Sequence, residues 1–376
     1  MKRMMIHAAA LCLVAVATTA CAGDGTTSEP TGDETTSTPT EAVTTESEEV
    51  VPLKVLVSSG NPQYIGTVGV GIAEGIFSDL GLEVELEIAG SGQETNLVIA
   101  GSADLTITGT ADLGSIEGQG KDVSAIWAAG GGGLGVIFLA PIDGPSTVDD
   151  FTAKAEQDGC RFATTSPGST TWQYGNAFNS ALGLECELVE FGGSSEVISA
   201  IAAGRADVGV STPSNTAANA ALDEGQLQIL IDTREVDDPT VEALGISATV
   251  DRVWMGLADN LEAKKASVRR FIEGLMLAGE IYQERAPEEL ADLLLTLEVV
   301  QAEYPTPEDV EDLVQGIESS KPYVDWNDGQ ITPEEWDQTL ETIGTFGLEE
   351  FDPTDPARAY DRVVDMSFYE AAAAAG

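Results

Sequence analysis

Short apolar runs punctuated by Gly, Ser, Asn and Pro alternate along this chain with stretches of helical period. Leu53 to Val57 reads as a β run that ends in the turn Ser58-Ser59-Gly60-Asn61-Pro62. Val68 to Phe77 reads as a glycine-interrupted helix. Val123 to Ala128 predicts a buried strand followed by a glycine loop at Gly130 to Gly133, and Val136 to Ala140 predicts another strand. Pro141 to Pro145 then punctuates the chain. Arg161 to Thr165, Cys186 to Phe191 and Val253 to Ala258 are further strands, and Thr171 to Ala181 is a helix. From Asn260 onward the pattern is helical, with Val268, Phe271, Ile272, Leu275 and Met276 spaced as one packing face. Thr306-Pro307 with Asp309, and Thr332-Pro333 with Glu335, carry the signature of an N-cap, a proline at the first helical position and a capping box. Asp355-Pro356 predicts the start of a last helix running to the alanine-rich end.

A diverged repeat underlies this alternation. Gly81-Leu82-Glu83-Val84-Glu85-Leu86 returns as Gly183-Leu184-Glu185-Cys186-Glu187-Leu188. Gly90-Ser91-Gly92-Gln93-Glu94 returns as Gly192-Gly193-Ser194-Ser195-Glu196. Ala100-Gly101-Ser102-Ala103-Asp104-Leu105 returns as Ala203-Gly204-Arg205-Ala206-Asp207-Val208. Each copy reads as strand, Gly/Ser turn, short helix, Ala-Gly break, Asp and strand, which is a βαβ pattern. Two copies in one order predict two α/β lobes; a solenoid would need at least three shorter repeats. Asp104 and Asp207 immediately precede strands and read as residues that fix the helix-to-strand corner.

The N-terminus carries a different pattern. Lys2 and Arg3 precede an apolar run from Ile6 to Val16, too short for a permanent membrane span. Thr18-Thr19-Ala20-Cys21 follows and resembles a bacterial lipobox, with Thr18 where an aliphatic residue is usual. Residues 1–20 are thus expected to be a signal peptide and Cys21 the lipidated new N-terminus. Ala22 to Val50 holds eight acidic residues and no basic one among many Thr and Ser, the composition of a disordered tether, so residues 21–50 join the anchor to the body. Beyond the signal no apolar stretch is long enough to span a bilayer. Cys160 and Cys186 remain in the body. An oxidising, exported setting predicts a disulfide between them, and they stand near the starts of two strands that flank one helix.

Charge narrows the function. The chain has 17 Lys and Arg against 64 Asp and Glu, a formal net charge of −47, which repels nucleic-acid backbones. Its one histidine, His7, lies in the signal, so the mature chain has none for a catalytic triad or an imidazole-ligated metal. The loops beyond the strand ends, where ligands bind in open α/β sheets, offer hydroxyls, amides, glycines and a few aromatics. They include Ser59, Asn61 and Tyr64, then Ser91, Thr108 and Thr110. The second copy adds Ser166, Ser169, Thr170, Trp172, Gly193, Ser211 and Thr212. These loops hold no basic side chain. Glu94, Asp112 and Glu196 read as helix-start carboxylates, not as a catalytic base. No catalytic residue, cofactor or metal is expected. Ser166 to Thr171 precede a helix whose N–H groups could accept an anion, a role compatible with simple capping by Ser169 or Thr170.

The stretches "LKVLVSSGNPQY", "GVGIAEGIFSDLGLEVEL", "GSGQETNLVIAGSADLTITGTADL" and "QGKDVSAIWA" resemble the first lobe of bacterial solute-binding proteins. That family serves ABC importers for nitrate, sulfonates, taurine and thiamine-pyrimidine precursors. "GCRFATTSPGSTTWQYGNAFNSALGL", "FGGSSEVISAIAAGRADVGVSTPSNTAANA" and "DNLEAKKASVRRFIEGLMLA" continue the likeness through the second lobe. The resemblance implies a type II-like periplasmic-binding-protein fold with a ligand cleft between two lobes. With the passage between copies set by the Pro141 to Pro145 punctuation, lobe 1 is expected at 51–142, lobe 2 at 143–248 and a return to lobe 1 with C-terminal helices at 249–376. Hinges are expected near Ala140 to Gly144 and Ala248 to Val253. Carried over by position, the ligand contacts are Ser59, Asn61, Ser91, Thr108, Gly109, Thr110, Ser166, Ser169, Thr170, Gly193, Ser211 and Thr212, with Tyr64, Trp172 or Tyr174 stacking on the ligand. Without a basic residue in the loops, and with Arg205 at a helix end, a neutral or zwitterionic organic solute fits better than a hard anion. The implied partners are that solute, an ABC permease with its ATPase, and the membrane through the lipid anchor, for a monomer outside the cytoplasm. A ligand-sensing or scaffold lipoprotein on the same fold is the alternative; an enzyme fits less well.

Overall fold

The computed structural model describes residues 50–374 except 90–92, 111, 114–115, 117–119, 132–135, 166–169, 214, 235–238, 245–249 and 345–350. The expected signal peptide, Cys21 and the tether therefore lie outside the described residues, as do Ser91, Ser166 and Ser169. The strands are β1 (Leu53–Val57), β2 (Val84–Ile88), β3 (Leu105–Gly109), β4 (Val123–Gly131) and β5 (Ile137–Pro141), then β6 (Arg161–Thr164), β7 (Glu187–Glu190), β8 (Val208–Ser211), β9 (Leu227–Asp232) and β10 (Val250–Leu257). They form two sheets of five, ordered β2-β1-β3-β10-β4 and β7-β6-β8-β5-β9. In the first, β1 runs parallel to β2 and β3, and β10 enters antiparallel between β3 and β4. In the second, β6 runs parallel to β7 and β8, and β5 enters antiparallel between β8 and β9. The two orders superimpose strand for strand, so the repeat read in the sequence is a repeat of topology, and each lobe's fourth position is filled by a strand from beyond a crossing.

The repeated aspartates close the same corner in both lobes. Asp104 Oδ2 accepts from the Lys54 amide at 2.8 Å while the Asp104 amide donates to the Lys54 carbonyl at 2.9 Å. Asp207 Oδ2 accepts from the Arg161 amide at 3.0 Å and its amide donates to the Arg161 carbonyl at 2.9 Å. Each carboxylate thus ties the start of the third strand to the start of the first. Asn260 and Lys264 also donate to Asp104, each at 2.8 Å, and fasten the returning chain to the same corner.

The cores follow strand alternation. In the first lobe Val55, Val57, Ile107, Trp127 and Trp254 face the helix Lys265–Glu284 through Phe271 and Leu275. Leu56, Ala128, Val253 and Met255 face the helix Pro333–Gly344 through Trp336 and Leu340. In the second lobe Phe138, Phe162, Tyr174 and Phe178 fill one side of the sheet, and Ile137, Leu139, Ala163, Val197 and Ile201 fill the other. Both capping boxes form: Thr306 with Asp309, and Thr332 with Glu335, exchange their backbone and side-chain hydrogen bonds.

Four expectations change. Strand β5 belongs to the second sheet, so the first crossing lies between Gly131 and Ile137, ahead of Ala140 to Gly144; register with β8 and β9 overrides the proline punctuation used to place lobe 1 as far as 142. Gly130 and Gly131 are not loop but the end of β4, paired with Arg252 and Val250. The first helix is Pro62–Ala73, started by Asn61 as its N-cap, and Gly75 in the left-handed region ends it before Phe77. The last helix is broken. Pro356–Arg358, Tyr360–Val363 and Ser367–Ala373 are separate turns, because Val364 leaves the helix to bridge Ala125 on the edge strand β4, and the Asp365 amide donates to the Ala125 carbonyl at 2.9 Å. The C-terminal helices also do more than cover the first lobe: Ile343 packs in the core of the second lobe, and Phe351 packs against the cores of both.

Cys160 and Cys186 form a disulfide with Cα atoms 4.6 Å apart. The pairing Arg161↔Glu187 of parallel strands β6 and β7 sets these cysteines opposite each other one step earlier. Across a sequence separation of 26 residues, the link should stabilise the fold by about 3 kcal/mol through chain entropy. Replacing both cysteines by serine should lower the unfolding free energy by about that amount in urea titration. Unchanged stability would show that the bond does not restrain the unfolded chain.

Candidate ligand-binding site

In the first sheet the carboxyl ends of β1 and β3 lie on the same side as the amino end of β10, and in the second those of β6 and β8 lie on the same side as the amino end of β5, because β10 and β5 run antiparallel to their neighbours. In the first lobe, the hydroxyl of Ser59 accepts from the Asn61 amide at 3.3 Å, and Asn61 Oδ1 accepts from the Gln63 amide at 3.2 Å. These two residues shape the turn and cap the helix. Tyr64 lies in the first turn of that helix. At the end of β3 the Thr108 hydroxyl accepts from Thr95 Oγ1 at 3.2 Å and donates to Asp112 Oδ2 at 3.5 Å. Gly109 is the cross-strand partner of Arg252. The Thr110 hydroxyl donates to the Val250 carbonyl at 2.6 Å, so it holds the start of β10 in place.

In the second lobe Thr170 opens the helix Thr170–Leu182, on which Trp172 is half-buried and Tyr174 buried. Gly193 is the N-cap position of the helix Ser194–Ala202 at the end of β7, on the sheet edge. Ser211 ends β8 at the sheet centre, buried, with Thr212 half-buried after it. Ser211 Oγ is buried without a hydrogen-bond partner in the protein. Arg205 is exposed, its guanidinium carbon 5.2 Å from the Phe191 ring centre, and does not serve this region.

The structure adds two charged residues that the loop inventory missed. Asp251 and Arg252 stand at the start of β10, between Gly109 on β3 and Gly130 on β4. Neighbouring residues of a strand normally point to opposite faces. Here register shifts on both sides of Arg252 break the alternation, so Arg252 reaches Asp251 with Nη2 3.0 Å from Oδ2. The side chains are only 11% and 8% exposed, in the order Arg252, Asp251. A Cβ on Gly130 would lie 2.8 Å from Asp251 Oδ1 and 3.1 Å from Arg252 Nε, so glycine is what admits the pair. The Arg252 guanidinium carbon is 5.4 Å from the Tyr64 ring centre, and Tyr174 of the second lobe is electrostatically coupled to both charges. Burial pushes the Asp251 carboxyl up against the pull of Arg252. Its negative charge in turn keeps Arg252 protonated against the cost of burial. Arg252 Nε and Asp251 Oδ1 are buried without a hydrogen-bond partner in the protein. The sequence signal was an adjacent acid and base at the head of the apolar strand Val253 to Leu257; a loop search does not see it because the pair lies inside a strand.

Three further carboxylates stand near this end of the first lobe. Glu94, in the first turn of the helix Gln93–Ile99, is buried. Burial and the charge of Glu94 raise Asp112 from the ordinary 3.8 to about 6. Asp325 is also raised to about 6, chiefly by burial, while Thr67 and Trp127 Nε1 donate to it. It sits beside Val324, which bridges Gly130. Among the described residues no group of three His, Cys, Asp or Glu side chains is placed to hold a metal ion, and no helix is long and apolar enough to cross a membrane.

No family profile and no curated protein matches the chain. Solved structures do. A Candida albicans gene product, described as defining a new family with the generic periplasmic binding protein structural fold, is 15% identical; the match covers 84% of this chain and 97% of that one, with a TM-score of 0.61. The periplasmic nitrate-binding protein NrtA of Synechocystis PCC 6803 is 13% identical over 87% of this chain and 89% of its own, with a TM-score of 0.62. The periplasmic aliphatic sulphonate binding protein SsuA of Escherichia coli is 15% identical over 83% and 91%, with a TM-score of 0.58. The chain has the periplasmic-binding-protein fold, with two lobes.

The raised carboxyls set a pH dependence. Between pH 3.8 and about 6 the folded Asp112 and Asp325 hold protons that the unfolded chain has released, so their contribution to stability falls as pH rises through that window. Urea unfolding of the Asp112→Asn variant across pH 4 to 7 should show a shallower decline than the parent, with the variant gaining most relative to it at the upper end. Parallel curves would refute the raised Asp112.

Proposed function

We propose that this chain is the extracytoplasmic solute-binding component of an ABC importer. It captures a small organic solute between its lobes and delivers it to a permease driven by an ATPase. The observation that carries this reading is that both lobes hold buried polar atoms without a hydrogen-bond partner in the protein, Arg252 Nε and Asp251 Oδ1 in one and Ser211 Oγ in the other, and that Tyr174 of the second lobe feels the charges of Asp251 and Arg252. Such atoms cost free energy in a folded protein unless a bound molecule completes them. The named structural relatives bind nitrate and aliphatic sulphonates, which supports a small solute without choosing one. Of the contact residues expected from the sequence, Ser59 and Asn61 follow β1, Thr108 and Gly109 end β3, and Ser211 ends β8.

On this reading the lobes close about the two crossings, between Gly131 and Ile137 and between Leu244 and Val250. Cys21 carries the lipid, residues 22–50 tether the body to the outer face of the membrane, and the protein acts as a monomer.

Two measurements test this. Native mass spectrometry of the purified protein should detect a co-purified small molecule, and small-angle scattering should show a smaller radius of gyration with it than after its removal. No bound solute and no compaction with any would overturn the reading. Separately, Cys21→Ser should release the protein from the membrane or leave it unprocessed; unchanged membrane association of that variant would rule out the anchor.

A further inference from the structure

Arg252 is flanked across the sheet by glycine on both sides, Gly109 on β3 and Gly130 on β4. At Gly130 the place of a side chain is taken by the pair itself, Asp251 Oδ1 and Arg252 Nε, and at Gly109 Asp112 Oδ2 lies 3.1 Å from where a Cβ would stand. The ion pair of Arg252 with Asp251 satisfies Nη2 and Oδ2 but leaves the Nε–H donor and the Oδ1 acceptor buried and open. A buried donor or acceptor without a partner is costly, and more so when charged. The pair therefore offers an incoming molecule one charge-assisted donor and one charge-assisted acceptor side by side.

A bare anion meets the donor but faces the carboxylate of Asp251. It must also approach a body with 15 basic and 56 acidic residues from Val51 onward. A bare cation meets Asp251 but faces Arg252. A molecule carrying both an acid group and an ammonium completes both atoms and adds no net charge to a buried site. Tyr64, whose ring lies 5.4 Å from the guanidinium carbon, supplies an aromatic wall beside the same group.

We infer that the solute is a small zwitterion, its acid group held by Arg252 and its ammonium by Asp251. This rests on the solute-binding reading and replaces the picture of a cleft without a basic side chain, in which hydroxyls alone hold the ligand.

Calorimetric titration of the full-length, dialysed protein against matched probes tests it. The probes are 2-aminoethanesulfonate against 2-hydroxyethanesulfonate, and 3-aminopropanoate against propanoate and propylamine. In at least one set the zwitterion should bind about 10- to 100-fold tighter than its partners lacking one charge, the range expected for one charged hydrogen bond. Asp251→Asn should erase the advantage over the amine-free acid, and Arg252→Gln the advantage over the acid-free amine. Thermal unfolding of each variant confirms that it folds, and the wild-type ranking stands as a test even if neither does. Equal or tighter wild-type binding of an amine-free acid or of nitrate overturns the inference. So does an unchanged preference in both folded variants. If no probe binds but a co-purified solute lacks one of the two charges, the zwitterion fails while solute binding stands. If no small molecule binds at all, both fail.

Discussion

Each sheet is completed by a strand that arrives antiparallel from the far side of a crossing, and the rest of the molecule depends on it. Without β10, the backbone edges of β3 and β4 would be buried unpaired in the first lobe; without β5, those of β8 and β9 would be in the second. Neither lobe can therefore close its hydrogen-bond ladder alone. The start of β10 is pinned accordingly. The Val250 carbonyl accepts from Thr110 at 2.6 Å and the Val250 amide donates to Thr339 at 3.0 Å, so the strand is held from β3 and from the C-terminal helix at once. The insertion that satisfies the backbone also delivers Asp251 and Arg252 to the middle of the sheet.

That delivery explains the electrostatics of the site. An isolated buried charge is costly, and a buried pair repays its desolvation only with good geometry and further hydrogen bonds. Here the pair is close but incompletely bonded, with Nε and Oδ1 left open. Bulges on β10 allow two consecutive residues to meet, and Gly130 allows them to lie on the sheet surface.

The C-terminal helices link the lobes by packing. The helix Pro333–Gly344 lies on β10 through Trp336 and Leu340, and its last turn sends Ile343 into the second lobe's core. The segment 324–329 lies along β4: Val324 bridges Gly130, Asp325 takes hydrogen bonds from Thr67 and Trp127, and Gly329 sits where a Cβ would lie 2.1 Å from the Trp127 ring. Asp325, Asn327 and Asp328 all adopt positive φ there, a conformation that non-glycine residues rarely take and that the surrounding contacts impose. The helical region thus braces the end of the sheet that carries Arg252.

Much of the fold is local information, and so it was legible in the sequence. Strand alternation, the N-cap at Thr306, the capping boxes and the repeated aspartates depend on residues a few positions apart. The Cys160–Cys186 pair follows from the order of one βαβ unit. Thr108, Thr110 and Ser211 were placed at strand ends by the same reasoning. The membership of β5, the extension of β4 to Gly131 and the break at Val364 were not legible, because each is decided by a partner far along the chain: Ser211, Val250 and Ala125 in turn. The charged centre was hidden for the same reason. Only the register of β10 between strands more than a hundred residues earlier puts Arg252 against two glycines, and only a bulge turns it to meet Asp251. Neighbours in sequence determine which elements form; long-range hydrogen-bond register, chosen by burial of whole strands, decides which side chains share a site.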